Sequence, residues 1–216
     1  MTRPLRLTTV ALSAAAALLL TSCGSDDEPS KGDDKIAGAD QGGEKSSSPS
    51  EPAEAVADRP KIELPSDVSF TFQWAKTGDK AKDAVLADRE QAIKTVDMAI
   101  AEKDPTHKAM RFYHEGDAAA AAQKYIQAYV KAQARTTGAY RYYDATVTAD
   151  GAGAALTYCE DQSKVYDKYL KKDKIEKSPA TKNSYVFYAA KLRKNDAGAW
   201  VTTQLNATRG SEKCQP

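Results

Sequence analysis

Residues 184–194 read SYVFYAAKLRK, residues 195–199 read NDAGA, and residues 200–207 read WVTTQLNA. Apolar side chains recur at every second position of the first segment, and one face carries Val186, Tyr188, Ala190 and Leu192. The segment 195–198 consists of turn-forming residues, and a second strand follows from Trp200 to Ala207. This stretch therefore predicts an antiparallel hairpin, and the rest of the fold can be worked out from it.

The same period of two extends upstream of the hairpin. Residues 140–149 predict one more strand, Asp150-Gly151 is a hairpin turn signal, and residues 154–166 predict another strand. Together with the hairpin they form a four-stranded antiparallel meander. Residues 68–74 also alternate, and they predict either a short strand or an extended arm laid on the core.

Between the arm and the meander the apolar period is helical. A first helix, capped by Asp79 or Asp83, is expected to run to about Lys103, and a short helix covers 106–114. A third helix is expected to begin with Asp117 as N-cap and to end at Thr137-Gly138. The fold class is therefore α+β, with three helices packed on one face of a bent four-stranded meander, so that a cone encloses a pocket.

The first 66 residues differ in composition from this domain. Residues 1–22 have the basic start and short apolar run of an export signal, and Leu20-Thr21-Ser22-Cys23 closely resembles the bacterial lipobox, in which the cysteine is lipidated. The alternative is an ordinary cleaved signal with a chance cysteine. A lipidated Cys23 would hold the protein on the extracytoplasmic face of the cell membrane.

Residues 23–66 are expected to be a disordered acidic tether. Eleven acids against five bases give residues 24–66 a charge of −6, and the segment has no aromatic residue. An acidic binding arm is the alternative interpretation. Residues 67–216 then form the folded domain.

Composition excludes several classes of function. The whole chain carries 31 basic and 30 acidic residues, which gives no reason to expect nucleic acid as a partner. No apolar run is long enough for a transmembrane helix. Two histidines and three cysteines offer little material for a metal site, and no cofactor motif is present, so neither a metal nor a cofactor is expected.

The two cysteines of the domain, Cys159 and Cys214, are predicted to form a disulfide if the domain is exported. Two free thiols, or a bond from Cys23 in a chain that escaped lipidation, are the alternatives. The bond would place the C-terminal tail over the second meander strand beside Glu160 and Asp161, partly closing any pocket that they line.

Several polar and aromatic residues are candidates for a site. Glu160 and Asp161 are adjacent in a strand, so one of them should point into the cone, where it could act as a base or bind a ligand. The alternative is that both bond backbone amides or Lys164. The many tyrosines of the strands either fill half-buried sheet positions or line a pocket for an aromatic or sugar ligand. His107 and His114 are expected to be solvated or capping residues.

Five segments resemble a family of uncharacterised secreted lipoproteins from high-GC Gram-positive bacteria: WAKTGD (74–79), YYD (142–144), YCEDQS (158–163), LRKND (192–196) and CQP (214–216). The order of helices and strands also resembles the nuclear transport factor 2-like, cystatin-like cone superfamily. The lipoprotein family implies a fold and a cellular address and no established activity, and its pattern matches Asp161 rather than Glu160. Superfamily relatives include ketosteroid isomerase, scytalone dehydratase and polyketide cyclases, as well as proteins that only bind.

Three hypotheses follow. The first is a non-catalytic module that binds a small hydrophobic or aromatic ligand, or a protein, through Tyr143, Tyr158, Asp161 and Tyr188. The second is an acid–base enzyme of isomerase, dehydratase or cyclase type, with Asp161 or Asp144 as base and a tyrosine as hydrogen-bond donor. The third is an accessory subunit that docks on a membrane or cell-wall complex. An enclosed pocket with a buried carboxylate would favour the second, and a filled cone with an exposed apolar sheet would favour the third.

Overall fold

Three α-helices and six strands make up residues 59–216, the part of the chain that the computed structural model describes. The helices are α1 (Lys80–Ala101), α2 (Lys108–Tyr113) and α3 (Gly116–Ala132). The strands are β1 (Val68–Phe72), β2 (Ala134–Asp150), β3 (Gly153–Tyr169), β4 (Lys174–Glu176), β5 (Tyr185–Lys194) and β6 (Trp200–Arg209). The α+β class predicted from the sequence is confirmed.

The strands form one mixed sheet in the order β1-β2-β3-β5-β6, with β4 paired to β3. Strands β2, β3, β5 and β6 are the predicted antiparallel meander. The predicted count of four strands is too low, because β1 pairs in parallel with β2 and the three-residue β4 extends the sheet at β3. Period-two alternation identified residues 68–72 as extended, but a parallel partner more than 60 residues away leaves no local signal.

The helix boundaries differ from the prediction at the α3–β2 junction. Helix α3 ends at Ala132, Gln133 takes a left-handed backbone conformation with φ of 52°, and β2 begins directly at Ala134. Gly138 therefore lies inside a strand and does not end the helix. At the other end the N-cap is Glu115 and not Asp117, without a capping side-chain hydrogen bond. Asp79 does cap α1, accepting from the amides of residues 81 and 82.

The helices cover one face of the sheet, and the larger part of the apolar core lies between the helices and that face. Val85, Leu86 and Ile93 of α1 pack with Tyr142 of β2 and Leu156 of β3 in the larger cluster. A second cluster joins the three helices through Ala99, Ile100, Met110 and Ile126. Register shifts in β2 after Ala139 and after Tyr143 bend the long strand around this core.

Residues 59–66, which the sequence assigns to the tether, lie along the domain. The guanidinium of Arg59 pairs with Asp88 of α1 and donates to the Tyr113 hydroxyl at 3.3 Å. The amide of Glu63 donates to the sulfur of Met98 at 3.3 Å, and Leu64 packs on the core. Part of the segment that the sequence assigns to the tether, residues 59–66, therefore contacts the folded domain.

The export signal, Cys23 and the rest of the tether lie outside the described residues. Within residues 59–216, none of the helices combines the length and the apolar character needed to cross a membrane.

Cys159 and Cys214 are bonded, with their Cα atoms 5.5 Å apart, as the sequence predicted. The bond places the C-terminal turn Glu212–Cys214 on the face of the sheet opposite the helices. The Tyr143 hydroxyl donates to the carbonyl of Cys214, and Lys213 lies over the Phe187 ring. The expectation that the tail closes a pocket is wrong, because Cys159 and Glu160 point to opposite faces of β3.

Candidate functional site

A cavity of about 310 Å³ lies between α1, α3 and the helix-facing side of the sheet. Its volume is at the lower end of the range of roughly 300–1,000 Å³ typical of small-ligand pockets. Apolar atoms come from Ile93, Val96, Leu205 and small residues of α3 and β6. Its polar and aromatic lining consists of Arg89, Asp97, His114, Glu160, Gln162 and five tyrosines, Tyr125, Tyr140, Tyr142, Tyr158 and Tyr188.

Arg89 is a buried cation at the wall of the cavity, with 3% of its surface exposed. Its Nη2 and Nε donate to the hydroxyl of Tyr158 at 2.7 and 3.2 Å, and its Nη1 donates to the hydroxyl of Thr202 at 3.1 Å. Each of its three nitrogens is therefore already bound to the sheet. This network fixes α1 against β3 and β6 and orients the ring of Tyr158.

Glu160 is the acid of the Glu160–Asp161 pair that faces the cavity, and 5% of its surface is exposed. The Tyr142 hydroxyl donates to its Oε1 at 2.7 Å, and the Gln162 amide donates to its Oε2 at 2.6 Å. Burial raises the pKa of Glu160, while hydrogen bonds from Tyr142, Tyr188 and Gln162 oppose that shift. The net direction is upward, so the site does not fully compensate the charge.

Asp97 is the second carboxylate of the cavity, one turn after Ile93 on α1. It accepts a hydrogen bond from the hydroxyl of Thr136 on β2. Burial raises its pKa to about 7, with a smaller contribution from the negative charge of Glu160. A carboxyl with this pKa exchanges its proton near neutral pH, which ordinary aspartates do not.

His114 is a neutral imidazole at the cavity wall. Burial and the nearby charge of Arg89 lower its pKa to about 3. Its Nδ1 lies 3.0 Å from the carbonyl oxygen of Met110, and since a carbonyl can only accept, Nδ1 carries the hydrogen. The remaining nitrogen, Nε2, is therefore a hydrogen-bond acceptor.

The opening of the cavity lies between α3 and β6. Tyr125, which is 44% exposed, lines it from α3, and the exposed Ala207 lines it from β6. The deeper wall is aromatic, with the Tyr158 and Tyr188 rings stacked at a centroid distance of 5.1 Å. A ligand in the cavity would therefore lie against both aromatic faces and carboxylates.

Two of the four ligand-binding residues chosen from the sequence line this cavity, namely Tyr158 and Tyr188. Tyr143 is on the opposite face, where Arg141 stacks 4.3 Å from its ring centroid. Asp161 shares that face and pairs with Arg141 at 3.0 Å. Hydrogen bonds from Ser163 and Arg141 outweigh burial and lower the pKa of Asp161.

Asp161 and Asp144, the candidate bases chosen from the sequence, lie outside this cavity. Strand alternation puts Asp161 behind the sheet, as the resemblance alone could not show. Asp144 lies in a register shift of β2 with φ of 50° and is exposed to solvent. Neither carboxylate lines the cavity.

Sequence reasoning passed over Arg89 and Asp97, although a signal was present. Both lie on the apolar stripe of α1 that contains Ile93, and a charged residue on such a stripe must be paired or must line a cavity. His114 gives no such signal, because it follows a six-residue helix of weak pattern. His107 caps that helix, as expected, and contacts Glu102 at 3.1 Å.

No group of three metal-ligating side chains occurs within residues 59–216. Among the polar groups of the cavity wall, Glu160 accepts a hydrogen bond from Tyr142, and His114 is bound to the carbonyl of Met110.

Solved structures similar to this chain include a ketosteroid isomerase-like protein from Erwinia carotovora atroseptica, with 12% identity, a TM-score of 0.42, and coverage of 62% of this chain and 98% of that one. A candidate dehydratase of the NTF2-like family from Streptomyces avermitilis has 10% identity and a TM-score of 0.40, again over 62% and 98%. An NTF2-like protein with a cystatin-like fold from Novosphingobium aromaticivorans has 16% identity and a TM-score of 0.38, over 64% and 96%.

No protein-family model matches the sequence, and no curated protein matches it.

Proposed function

We propose that this chain is a ligand-binding module that holds a small, largely apolar or aromatic molecule in the cavity between the helices and the sheet. The observation that supports this is the cavity itself, which has ligand-sized volume and a tyrosine-rich wall with a few buried polar groups. We further propose that the module is held at the extracytoplasmic face of the membrane through lipidated Cys23, on the strength of the lipobox-like sequence.

The buried polar groups favour binding over a purely structural role. A structural core fills its space and pairs its charges within itself. Here two carboxylates, a guanidinium and an imidazole surround unfilled volume that reaches solvent past Tyr125. Such a wall provides hydrogen-bonding groups without filling the space between them, which is the arrangement a polar-headed ligand needs.

Co-purification tests this proposal. The full chain, purified from membranes of its own host, should carry a small molecule that native mass spectrometry detects. Ala122→Phe places a ring in the cavity and should abolish the bound molecule, whereas Ala120→Phe, on the exposed side of the same helix, should retain it. Retention of the molecule by Ala122→Phe, or its absence from the wild-type protein, would contradict the proposal.

An acid–base enzyme is a second candidate, favoured by Asp97. A carboxyl with a pKa of about 7 beside a second carboxylate is suited to proton transfer at physiological pH. The test is a chemical change of the co-purified molecule on incubation with fresh protein. Conversion by the wild type and not by Asp97→Asn, with binding retained in both, would identify an enzyme.

A further inference from the structure

Two carboxylates and one imidazole nitrogen of the cavity wall can accept hydrogen bonds from a ligand. Asp97 accepts one hydrogen bond from Thr136, and Glu160 accepts from Tyr142, Gln162 and Tyr188, so both carboxylates keep unused lone pairs. His114 presents Nε2 as an acceptor. Its side chain is buried and lines the cavity, and no hydrogen bond to Nε2 is formed within residues 59–216.

Two donors of the wall, Arg89 and Gln162, already bind protein groups. The three nitrogens of Arg89 donate to Tyr158 or Thr202. The amide nitrogen of Gln162 donates to Glu160, and its oxygen accepts from Arg209. Because an ionised carboxylate only accepts, a ligand that binds Asp97 or Glu160 has to bring its own donors.

The carboxylates also lack a positive partner. Across residues 59–216, no Lys, Arg or His forms an ion pair with Asp97 or Glu160. Arg209 lowers the pKa of Glu160 from a distance, but its guanidinium is bound to Gln162 and to the carbonyl of Asn183. With both carboxylates ionised, they outnumber the single guanidinium of Arg89 in the cavity wall.

The aromatic wall suits a cation as well. Tyrosine faces attract an ammonium group within about 6 Å of the ring centroid, with more energy where water is excluded. Five tyrosines line this cavity, and four of them, Tyr140, Tyr142, Tyr158 and Tyr188, lie on the sheet face that also carries Glu160. An anion would instead be placed beside two carboxylates, and a neutral alcohol would leave their charge uncompensated.

We infer that the ligand is a compact organic amine in its cationic form, with its ammonium group between Asp97 and Glu160 and its apolar or aromatic body against the tyrosines. This inference rests on the proposed binding function and specifies its ligand class. Burial raises the pKa of both carboxylates, and a bound ammonium group would favour their ionised forms.

Three probes of similar shape and different charge test the inference: phenethylamine, 2-phenylethanol and phenylacetate. Each is titrated into the full chain by isothermal calorimetry at pH 7.5. The amine should bind about tenfold or more tightly than the alcohol, and the carboxylate should bind most weakly. Asp97→Asn and Glu160→Gln should each lower the affinity for the amine by more than the affinity for the alcohol, and so remove most of the advantage of the amine.

Asp161→Asn is the matched control, since it removes a neighbouring carboxylate on the opposite face of β3 and should leave all three affinities as in the wild type. The amine should also displace a proton from Asp97, measurable at pH 6 as a dependence of the heat on the buffer's ionisation enthalpy. The titratable groups that face Asp97 are Glu160 of β3, Tyr125 and Tyr129 of α3, and Tyr140 and Tyr142 of β2.

The outcomes separate the two proposals. Tighter binding of the alcohol or the carboxylate overturns the amine inference and leaves the cavity as a binding site. Failure of all three probes, or a co-purified molecule without a basic nitrogen, also overturns it. The binding function itself fails by the separate co-purification test with Ala122→Phe.

Discussion

The guanidinium of Arg89 on α1 donates two hydrogen bonds to the single hydroxyl oxygen of Tyr158 on β3, from Nη2 at 2.7 Å and from Nε at 3.2 Å. Both residues are buried, at 3% and 1% exposure. Since the oxygen accepts twice, the hydroxyl's own hydrogen remains for a third partner. This contact joins the helix layer to the sheet at the wall of the cavity, so the fold and the site depend on the same pair.

Replacing one partner should leave the other buried without its hydrogen bonds. Tyr158→Phe is expected to lower the free energy of unfolding by about 2 kcal/mol, because the buried charge of Arg89 loses its acceptor. In a double-mutant cycle with Arg89→Met, measured by urea denaturation, the coupling energy should be about 1–3 kcal/mol. The surface pair Arg193–Glu115 is the control and should couple by less than about 1 kcal/mol. A coupling near zero for the buried pair would show that this contact does not hold the two layers together.

Asp97 should make the protein less stable as pH rises. Its folded-state pKa of about 7 lies above the ordinary 3.8, so the folded protein keeps a proton that the unfolded chain releases between those values. Stability therefore falls across that window, by up to about 1.4 kcal/mol per pH unit. Asp97→Asn, which can still accept from Thr136, should exceed the wild type in unfolding free energy by roughly 2 kcal/mol at pH 8 and by little at pH 4.

The titration of His114 has the opposite effect on stability, and its contribution has to cancel when the wild type is compared with Asp97→Asn. Its lowered pKa of about 3 means that the folded protein releases a proton which the unfolded chain keeps, so stability falls as pH drops below about 6.5. Because His114 is present in both proteins, the difference between them isolates Asp97. An offset of the same size at pH 4 and pH 8 would show that Asp97 ionises normally.

The meander and the helices were predictable because their signals are local. Period-two alternation from Tyr185 to Lys194, and the Asp150-Gly151 turn, require no knowledge of distant contacts. The parallel pairing of β1 and the early start of β2 were not predictable in this way. Residues 134–139 contain Thr, Gly and Ala without a clear period, and their extended form is set by partners on β1 and β3.

The sequence could predict which residue types form the site, but not which side of the sheet each side chain faces. Alternation guarantees that one of Glu160 and Asp161 points at the helices, yet the sequence does not say which. The structure decides it through register, since Tyr142 pairs with Glu160 across β2 and β3, and its hydroxyl donates to that carboxylate. The position of Asp97 on the apolar stripe of α1 indicated that it is paired or lines a cavity, but its contact with Thr136 of β2 is set by packing and has no signal in the sequence.

Removing the disulfide should weaken the fold and leave the cavity intact. Replacing both Cys159 and Cys214 by Ala reopens a loop of 55 residues and should lower the free energy of unfolding by about 4 kcal/mol in the loop-entropy model. Amide exchange should speed up in residues 210–216 more than in α1. Probe affinity of the folded protein should not change, because the bond lies on the face opposite the cavity. Free thiols on both cysteines of the wild-type protein would contradict this account.

Membrane attachment should depend on Cys23 alone among the cysteines. Cys23→Ala removes the residue that the lipobox-like sequence presents for acylation, and the loss of buried acyl chains should move the protein to the soluble fraction. The domain should still fold, since its own disulfide joins two other cysteines. Cys159→Ala is the control and should stay with the membranes. Wild-type amounts of Cys23→Ala in the membrane pellet would disprove the anchor.

Gly138 should be far less replaceable than Gly151, although both have positive φ. At Gly138 φ is 105°, and an added Cβ would lie 2.1 Å from the carbonyl oxygen of Lys164 on β3. At Gly151 φ is 54°, and no atom lies within 4 Å of the Cβ position. Gly138→Ala should therefore push β2 from β3 and lower the unfolding free energy by roughly 3 kcal/mol or more. Gly151→Ala should cost about 1 kcal/mol, from its backbone conformation. Tyr140 and Tyr142 follow Gly138 on β2 and line the cavity. The folded fraction of Gly138→Ala should therefore also bind the probes more weakly than Gly151→Ala does. If the two variants lost the same amount of urea midpoint and of probe affinity, the steric argument would be contradicted.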